Sequence, residues 1–185
     1  MRVITGTAKG IPLQSVPGTE TRPISDRVKQ AVFSILDDMV RGARFLDLFA
    51  GTGGVGIEAL SRGAQEAVFV EKQSKAIAVI RANLQRTRLQ ERARVVQTDV
   101  FKYLQRSPAP FDLIYIAPPQ YLGLWKDTLL ALDAHPEWLD EEGLAMVQIF
   151  PKEYEPLALV HLDLREQRKY GSTLVLFYER SVQDE

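Results

Sequence analysis

The run Asp47-Leu-Phe-Ala-Gly51-Thr-Gly53-Gly-Val-Gly56 ends a short apolar stretch in a glycine turn and sets a carboxylate just ahead of the glycines. Gly51, Gly53 and Gly56 satisfy the G-x-G-x-x-G spacing of dinucleotide sites, and Glu71 stands about twenty residues further on, where an acid can hold ribose hydroxyls. Read literally, that pattern takes a pyrophosphate. Asp47, however, ends the same strand and would repel a phosphate placed on the following helix N-terminus. S-adenosyl-L-methionine has the opposite electrostatic needs: its sulfonium and α-ammonium groups favour a carboxylate, while its adenosine still uses a glycine turn and a ribose-binding acid. Asp47, Phe49, Gly51, Gly53 and Glu71, with Lys72 beside it, are therefore the candidate residues for that donor. An ordinary strand-turn-helix corner with chance glycines is the plain alternative.

A third acid, Asp99, is placed to accept a hydrogen bond from an adenine amino group, with Val100 or Phe101 against the ring. It also suits the N-cap of the helix that follows, and the two roles are compatible. Ala117-Pro-Pro-Gln-Tyr121 follows the next apolar run. Its prolines stiffen a strand exit whether or not chemistry uses it.

Regular elements must bring these segments together. From Ala43 the pattern alternates: strand 45 to 49, helix 54 to 62, strand 67 to 71, helix 74 to 86, strand 94 to 97, helix 99 to 106, strand 111 to 116. Helical sequence over 122 to 139 leads to a fifth strand, Leu144 to Phe150, with two more near 160 to 168 and 173 to 179. Apolar strands alternating with helices imply an α/β, doubly wound, mostly parallel sheet covered on both faces, with ligands held beyond the carboxyl ends of the strands. Asp47 to Gly53, Glu71, Asp99 and Ala117 to Tyr121 each follow or end a different strand, so four segments converge on one rim. Ahead of this core, residues 2 to 7 and 11 to 16 suggest a β-hairpin turning at Lys9-Gly10, and Ser25 or Asp26 can cap a helix running to about Met39. The expected division is a hairpin extension over 1 to 20 and a catalytic-type domain over 21 to 185.

Composition narrows the function classes. The 185 residues, 45% apolar and 25% charged, suit one globular domain with a sizeable core, without the roughly 20-residue apolar run that crosses a bilayer. The absence of cysteine excludes disulfides, thiolate catalysis and Cys-ligated zinc, and permits a cytoplasmic location; His135 and His161, the two histidines, do not suggest a metal site. A net charge of -1 hides an uneven distribution. Residues 1 to 31 carry five cations against two acids, 75 to 94 carry six against one, and 127 to 155 carry eight acids against Lys152. Such a chain can present a basic face to a polyanion, although the second basic segment also reads as a solvated helix face.

Taken together, these residues resemble the class I S-adenosylmethionine-dependent methyltransferases and, within them, the bacterial 16S ribosomal RNA guanine-N2 methyltransferases. Thr21-Arg-Pro-Ile-Ser-Asp-Arg-Val-Lys-Gln-Ala-Val-Phe-Ser-Ile-Leu36 is similar to that family's N-terminal signature. Leu46 to Gly53 and Gly56-Ile-Glu-Ala-Leu-Ser-Arg-Gly-Ala64 resemble its donor loop and first helix, and Lys169-Tyr-Gly-Ser-Thr173 its closing segment. The resemblance covers almost the whole chain. It implies a seven-stranded Rossmann-like sheet whose last strand runs antiparallel, a small N-terminal hairpin that grips RNA, and phosphate contacts from Arg22, Arg27 and Lys29.

The fourth motif departs from the family. The resemblance implies Asp-Pro-Pro-Tyr or Asn-Pro-Pro-Tyr, in which the leading side chain accepts a hydrogen bond from the target amine and the aromatic ring stacks on a flipped base. Here the positions are Ala117, Pro118, Pro119 and Gln120, followed by Tyr121. Ala117 has no side-chain acceptor; the Pro118 carbonyl can accept instead, and Tyr121 can stack if the loop shifts by one residue. Losing one positioned polar contact is worth about 2 to 4 kcal/mol in a transition state, so weakened or altered transfer is the expectation. The leading reading is a cytoplasmic, monomeric methyltransferase acting on a guanine N2 amine of 16S rRNA in the 30S subunit or its assembly precursor, with no metal and no membrane. The alternatives are a donor- or RNA-binding homologue without turnover, and a methyltransferase for another acceptor.

Overall fold

Five parallel strands and a terminal antiparallel strand pair form one seven-stranded sheet in the computed structural model, which describes residues 1–18 and 23–182. The chain order is α1 (Asp26–Leu36), β1 (Arg44–Leu48), α2 (Gly54–Ser61), β2 (Glu66–Glu71), α3 (Ser74–Thr87), β3 (Ala93–Gln97), α4 (Val100–Leu104), β4 (Phe111–Ile116), α5 (Leu124–Ala134), β5 (Leu139–Ile149), β6 (Leu162–Tyr170) and β7 (Thr173–Arg180). Strands lie in the order β3-β2-β1-β4-β5-β7-β6, and β7 is antiparallel to both β5 and β6. The order reverses between β1 and β4, and the rim beside that reversal is where an open α/β sheet holds its ligand.

The central strands are buried on both faces, which is why they read as near-continuous apolar runs. One face packs Phe45, Leu113, Tyr115 and Met146 against α1, α2 and α3 through residues such as Phe33, Ile57 and Ile80. The other packs Leu46, Leu48, Ile116 and Val147 against α4 and α5 through Tyr103, Trp125 and Leu129. Gly56, on α2, lies where a Cβ would meet Phe69 Cε1 at 2.4 Å, so the helix approaches the sheet as closely as only glycine permits.

Two elements differ from the sequence expectation. The expected two-stranded hairpin is reduced to a single antiparallel bridge between Arg2 and Pro12. The chain does reverse, with Gly10 N–H donating to Val3 O at 2.8 Å, but the next amides are diverted: Ile4 and Thr5 N–H donate to the Glu58 carboxylate at 2.9 and 3.1 Å. A buried acid on α2 thus outcompetes a partner strand. β5 starts at Leu139, ahead of the expected Leu144, and a register shift against β4 between Phe111 and Leu113 accommodates its acidic opening.

Candidate active site

A cavity of about 210 Å³ opens at the carboxyl ends of β1, β2 and β4 and reaches the start of α4. Asp47, Phe49, Gly51, Glu71, Lys72, Asp99, Val100, Ala117 and Pro119 line it, so all four expected segments converge there. Gly53 is a neighbour rather than a wall: with φ of 78° it turns the chain into α2, and its vacant side faces Ile80.

Glu71 builds the turn. Its Oε2 accepts the Gly51 N–H at 2.9 Å, and its Oε1 accepts Lys72 and Gln73 N–H at 2.9 and 3.0 Å. The acid is therefore anchored with a fixed face toward the cavity. Asp47, 2% exposed, receives the Gly56 N–H on Oδ2 at 3.1 Å. Burial, opposed by that hydrogen bond and reinforced by the nearby Glu71 charge, pushes its carboxyl well above the usual range. Among the described residues Asp47 makes no ion pair. A buried acid without a counter-charge on the wall of a cavity favours a cationic ligand, which is the donor chemistry the sequence suggests. Asp99 caps α4 through Oδ1, accepting from Phe101 N at 2.8 Å and Lys102 N at 3.3 Å, and lines the cavity as well; the two readings of this residue coexist.

The fourth-motif residues divide. Pro118 and Gln120 line a second, smaller pocket of about 60 Å³ with Phe150, Ser172 and Thr173, and Pro119 lines the larger cavity. Ala117 lines both. Tyr121 lines neither; it is 65% exposed, has φ of 61°, stacks on Phe150 with ring centroids 5.4 Å apart, and donates its backbone N–H to Glu153. The left-handed backbone at Tyr121 carries the ring out over Phe150 instead of inward.

Lys29 does not lie where the sequence places it. It was expected at the surface beside Arg27, yet its side chain is fully buried, pairing with Glu58 at 3.2 Å and donating to Arg2 O at 2.7 Å. Burial lowers its ammonium pKa, against the opposing pull of Glu58. A lysine so enclosed cannot meet an RNA phosphate; it ties the N-terminal segment to α1 and α2. Arg27 is exposed, and Arg22 lies outside the described residues.

Several lining residues escaped the sequence reading. Met1, Ser15 and Val16, which belong to no motif, and Pro23 and Ile24, whose N-terminal signature pointed to RNA and not to this cavity, wall it from the N-terminal side. Tyr115 and Gln148 form part of the wall from β4 and β5, and the Tyr115 hydroxyl donates to Gln148 Oε1. The one available signal for Gln148 was a lone amide in the apolar run Leu144 to Phe150.

A seven-stranded sheet of this order, shared with methyltransferase relatives, makes the protein an S-adenosylmethionine-dependent methyltransferase. The chain belongs to the family described as Conserved hypothetical protein 95, which matches residues 1–179. It is 36% identical over 183 residues to the Bacillus subtilis protein named "Putative rRNA methyltransferase YlbH", covering 97% of this chain and 99% of that one. It is 30% identical over 187 residues to the Escherichia coli protein named "Ribosomal RNA small subunit methyltransferase D", covering 100% and 92%. The solved structure of "Putative methyltransferase yhhF" from Escherichia coli superposes with a TM-score of 0.85 at 32% identity, covering 99% of both chains.

Proposed function

We propose that this protein methylates the N2 amine of a guanine in 16S rRNA, acting as a monomer in the cytoplasm on the 30S subunit or its assembly precursor. The observation that carries the donor half is Asp47, a buried carboxylate without an ion pair among the described residues, lining the cavity behind the Glu71-anchored turn. The acceptor half rests on the relatives' names, whose printed substrate is ribosomal RNA, and on the small pocket that meets the donor cavity at Ala117.

In this reading Asp47 faces the cationic part of the donor, Glu71 and Lys72 take the ribose side, and Asp99 and Val100 take the adenine side. Bound there, the donor would supply an electrophilic methyl group for in-line transfer to the amine, leaving its sulfur as a neutral thioether while the amine proton is lost to water. The protein's own work is positioning. Pro118 and Pro119 hold a rigid acceptor wall, and Tyr121 stacks with the target strand. Arg27, Arg22 and the residues of the 1–20 extension meet RNA phosphates.

Incubating the protein with labelled S-adenosylmethionine and undermethylated 30S particles, then mapping modified guanines by mass, tests the reading. Transfer to one guanine is the expected result. Ala117, a methyl group where the family resemblance implies an acceptor, favours a second reading, a donor-binding protein without turnover. That reading predicts tight S-adenosylhomocysteine binding by calorimetry and no methyl transfer to any RNA.

A further inference from the structure

Among the described residues, two line both the donor cavity and the smaller pocket: Ala117 and Gln148. The sheet register accounts for this. β4 and β5 run parallel with Ile116 beside Val147, so the next step along each strand sets Ala117 and Gln148 side by side where the two cavities meet. Tyr115, two residues before Ala117, shares its face of the sheet, and Asp47 on β1 is its register neighbour. Asp47, Tyr115 and Gln148 thus form one line of polar groups on a face otherwise filled by Phe45, Leu113, Leu144 and Met146.

The line has a direction. Burial, with the Asp47 charge adding to it, holds the Tyr115 proton well above the ordinary phenol range, so the hydroxyl remains a donor. Its proton goes to Gln148 Oε1, which orients the amide and leaves that oxygen a second lone pair. Gln148 is partly exposed, unlike the buried Leu144 to Val147 before it. Pro118 and Gln120 line only the small pocket, and Pro119 only the large one.

We infer that Gln148, held by Tyr115, is the group that accepts a hydrogen bond from the reacting amine of the acceptor base, the contact that the side chain at position 117 cannot make. This rests on the proposed reading of a guanine amine as acceptor. An exocyclic amine conjugated to its ring is a poor nucleophile. An oxygen accepting one of its N–H bonds in the base plane aims the out-of-plane lone pair toward the donor and lets the shed proton leave past a polar group. Gln148 is then a catalytic residue contributed by β5, one strand away from the usual motif, and Tyr115 is its positioning residue.

The test uses the full chain, undermethylated 30S particles and four variants. Gln148→Met keeps the side chain's length and removes the acceptor; it should lower kcat by about 30- to 1,000-fold, as expected for one positioned polar contact, with KM for the particle and S-adenosylhomocysteine binding within threefold of wild type. Tyr115→Phe should lower kcat less, and Gln148→Met combined with Ala117→Asn should recover at least tenfold over Gln148→Met alone, a rescue that a merely structural role for Gln148 does not produce. Ala117→Asn alone is the reference for that rescue. A turnover-independent readout follows the Gln148 side-chain amide by NMR in the S-adenosylhomocysteine complex. Guanosine should shift it, whereas inosine, which lacks the exocyclic amine, should not. Wild-type transfer with an undiminished Gln148→Met rate overturns the inference and leaves the function standing. No wild-type transfer to any RNA overturns the function, and the amide titration then decides the contact: equal shifts with guanosine and inosine, or none with either, overturn it.

Discussion

Glu71 Oε2 accepts the Gly51 N–H at 2.9 Å, so the acid that ends β2 holds the glycine turn that follows β1. The same carboxylate receives the first two amides after β2 on its other oxygen. Removing it disturbs two loops of the proposed donor site at once. Glu71→Ala should weaken S-adenosylhomocysteine binding by at least about tenfold, and the partly exposed hydrogen bonds lost should cost about 1 to 2 kcal/mol of stability. Calorimetry and denaturant unfolding measure the two effects separately.

Asp47 carries a predicted trade of stability against function. Its folded carboxyl titrates above the unfolded value, so ionising it opposes folding: the penalty is absent below the unfolded pKa near 4, grows as pH rises toward the folded pKa, and is complete above it. Asp47→Asn keeps an oxygen for the Gly56 N–H and removes that penalty. The variant should unfold at higher temperature than wild type at pH 8 and lose the difference at pH 4, while its affinity for S-adenosylmethionine falls at least about tenfold. The cationic donor draws Asp47 to its ionised form, so wild-type binding should release a proton and tighten as pH rises through the elevated pKa. Calorimetry in buffers of different ionisation enthalpy reads that proton.

Lys29 and Arg27 should separate cleanly. Lys29→Met breaks a fully buried ion pair with Glu58, and the cost should be about 3 kcal/mol, the low end for such pairs, because Arg62 at 2.9 Å and the Ile4 and Thr5 amides still serve the acid. Arg27→Ala, at an exposed position, should leave stability within about 0.5 kcal/mol and reduce the salt slope of RNA binding by about 1. Urea unfolding and a salt titration of RNA binding distinguish the two outcomes.

Gly56→Ala tests the closeness of α2 to the sheet. The added methyl would meet Phe69 Cε1 at 2.4 Å and Asp47 Oδ2 at 3.2 Å. Overpacking should cost about 1 to 3 kcal/mol, and the shift of Asp47 should weaken donor binding along with it, read by unfolding and calorimetry on the same sample.

The alternation of strands and helices was legible because buried parallel strands write themselves as apolar runs, such as Phe45 to Leu48 and Phe111 to Ile116, separated by amphipathic helices. The cavity rim was legible because glycines and acids stand at the ends of successive strands, Asp47 to Gly53 after β1, Glu71 at the end of β2 and Asp99 after β3. What escaped depends on distant partners. Lys29 reads as a surface cation until Glu58, on the next helix, is known to take its charge inside. The hairpin reads as two strands until that same acid claims its amides. Tyr115 and Gln148 meet because β4 and β5 are neighbours, a fact of topology rather than of local pattern. Tyr121 has the residue type to stack, but its left-handed backbone sets the direction of the ring.

Methyl transfer to ribosomal RNA at the rim formed by Asp47, Glu71, Asp99 and Ala117 can be read directly from the RNA. The most direct measurement incubates wild type and Asp47→Asn with labelled S-adenosylmethionine and undermethylated 30S particles and maps the 16S rRNA by mass. Wild type should leave one N2-methylguanine, and the variant should lose at least about tenfold, in line with the weakened donor site. S-adenosylhomocysteine binding by wild type with no methylated guanine in the RNA would contradict transfer at this rim.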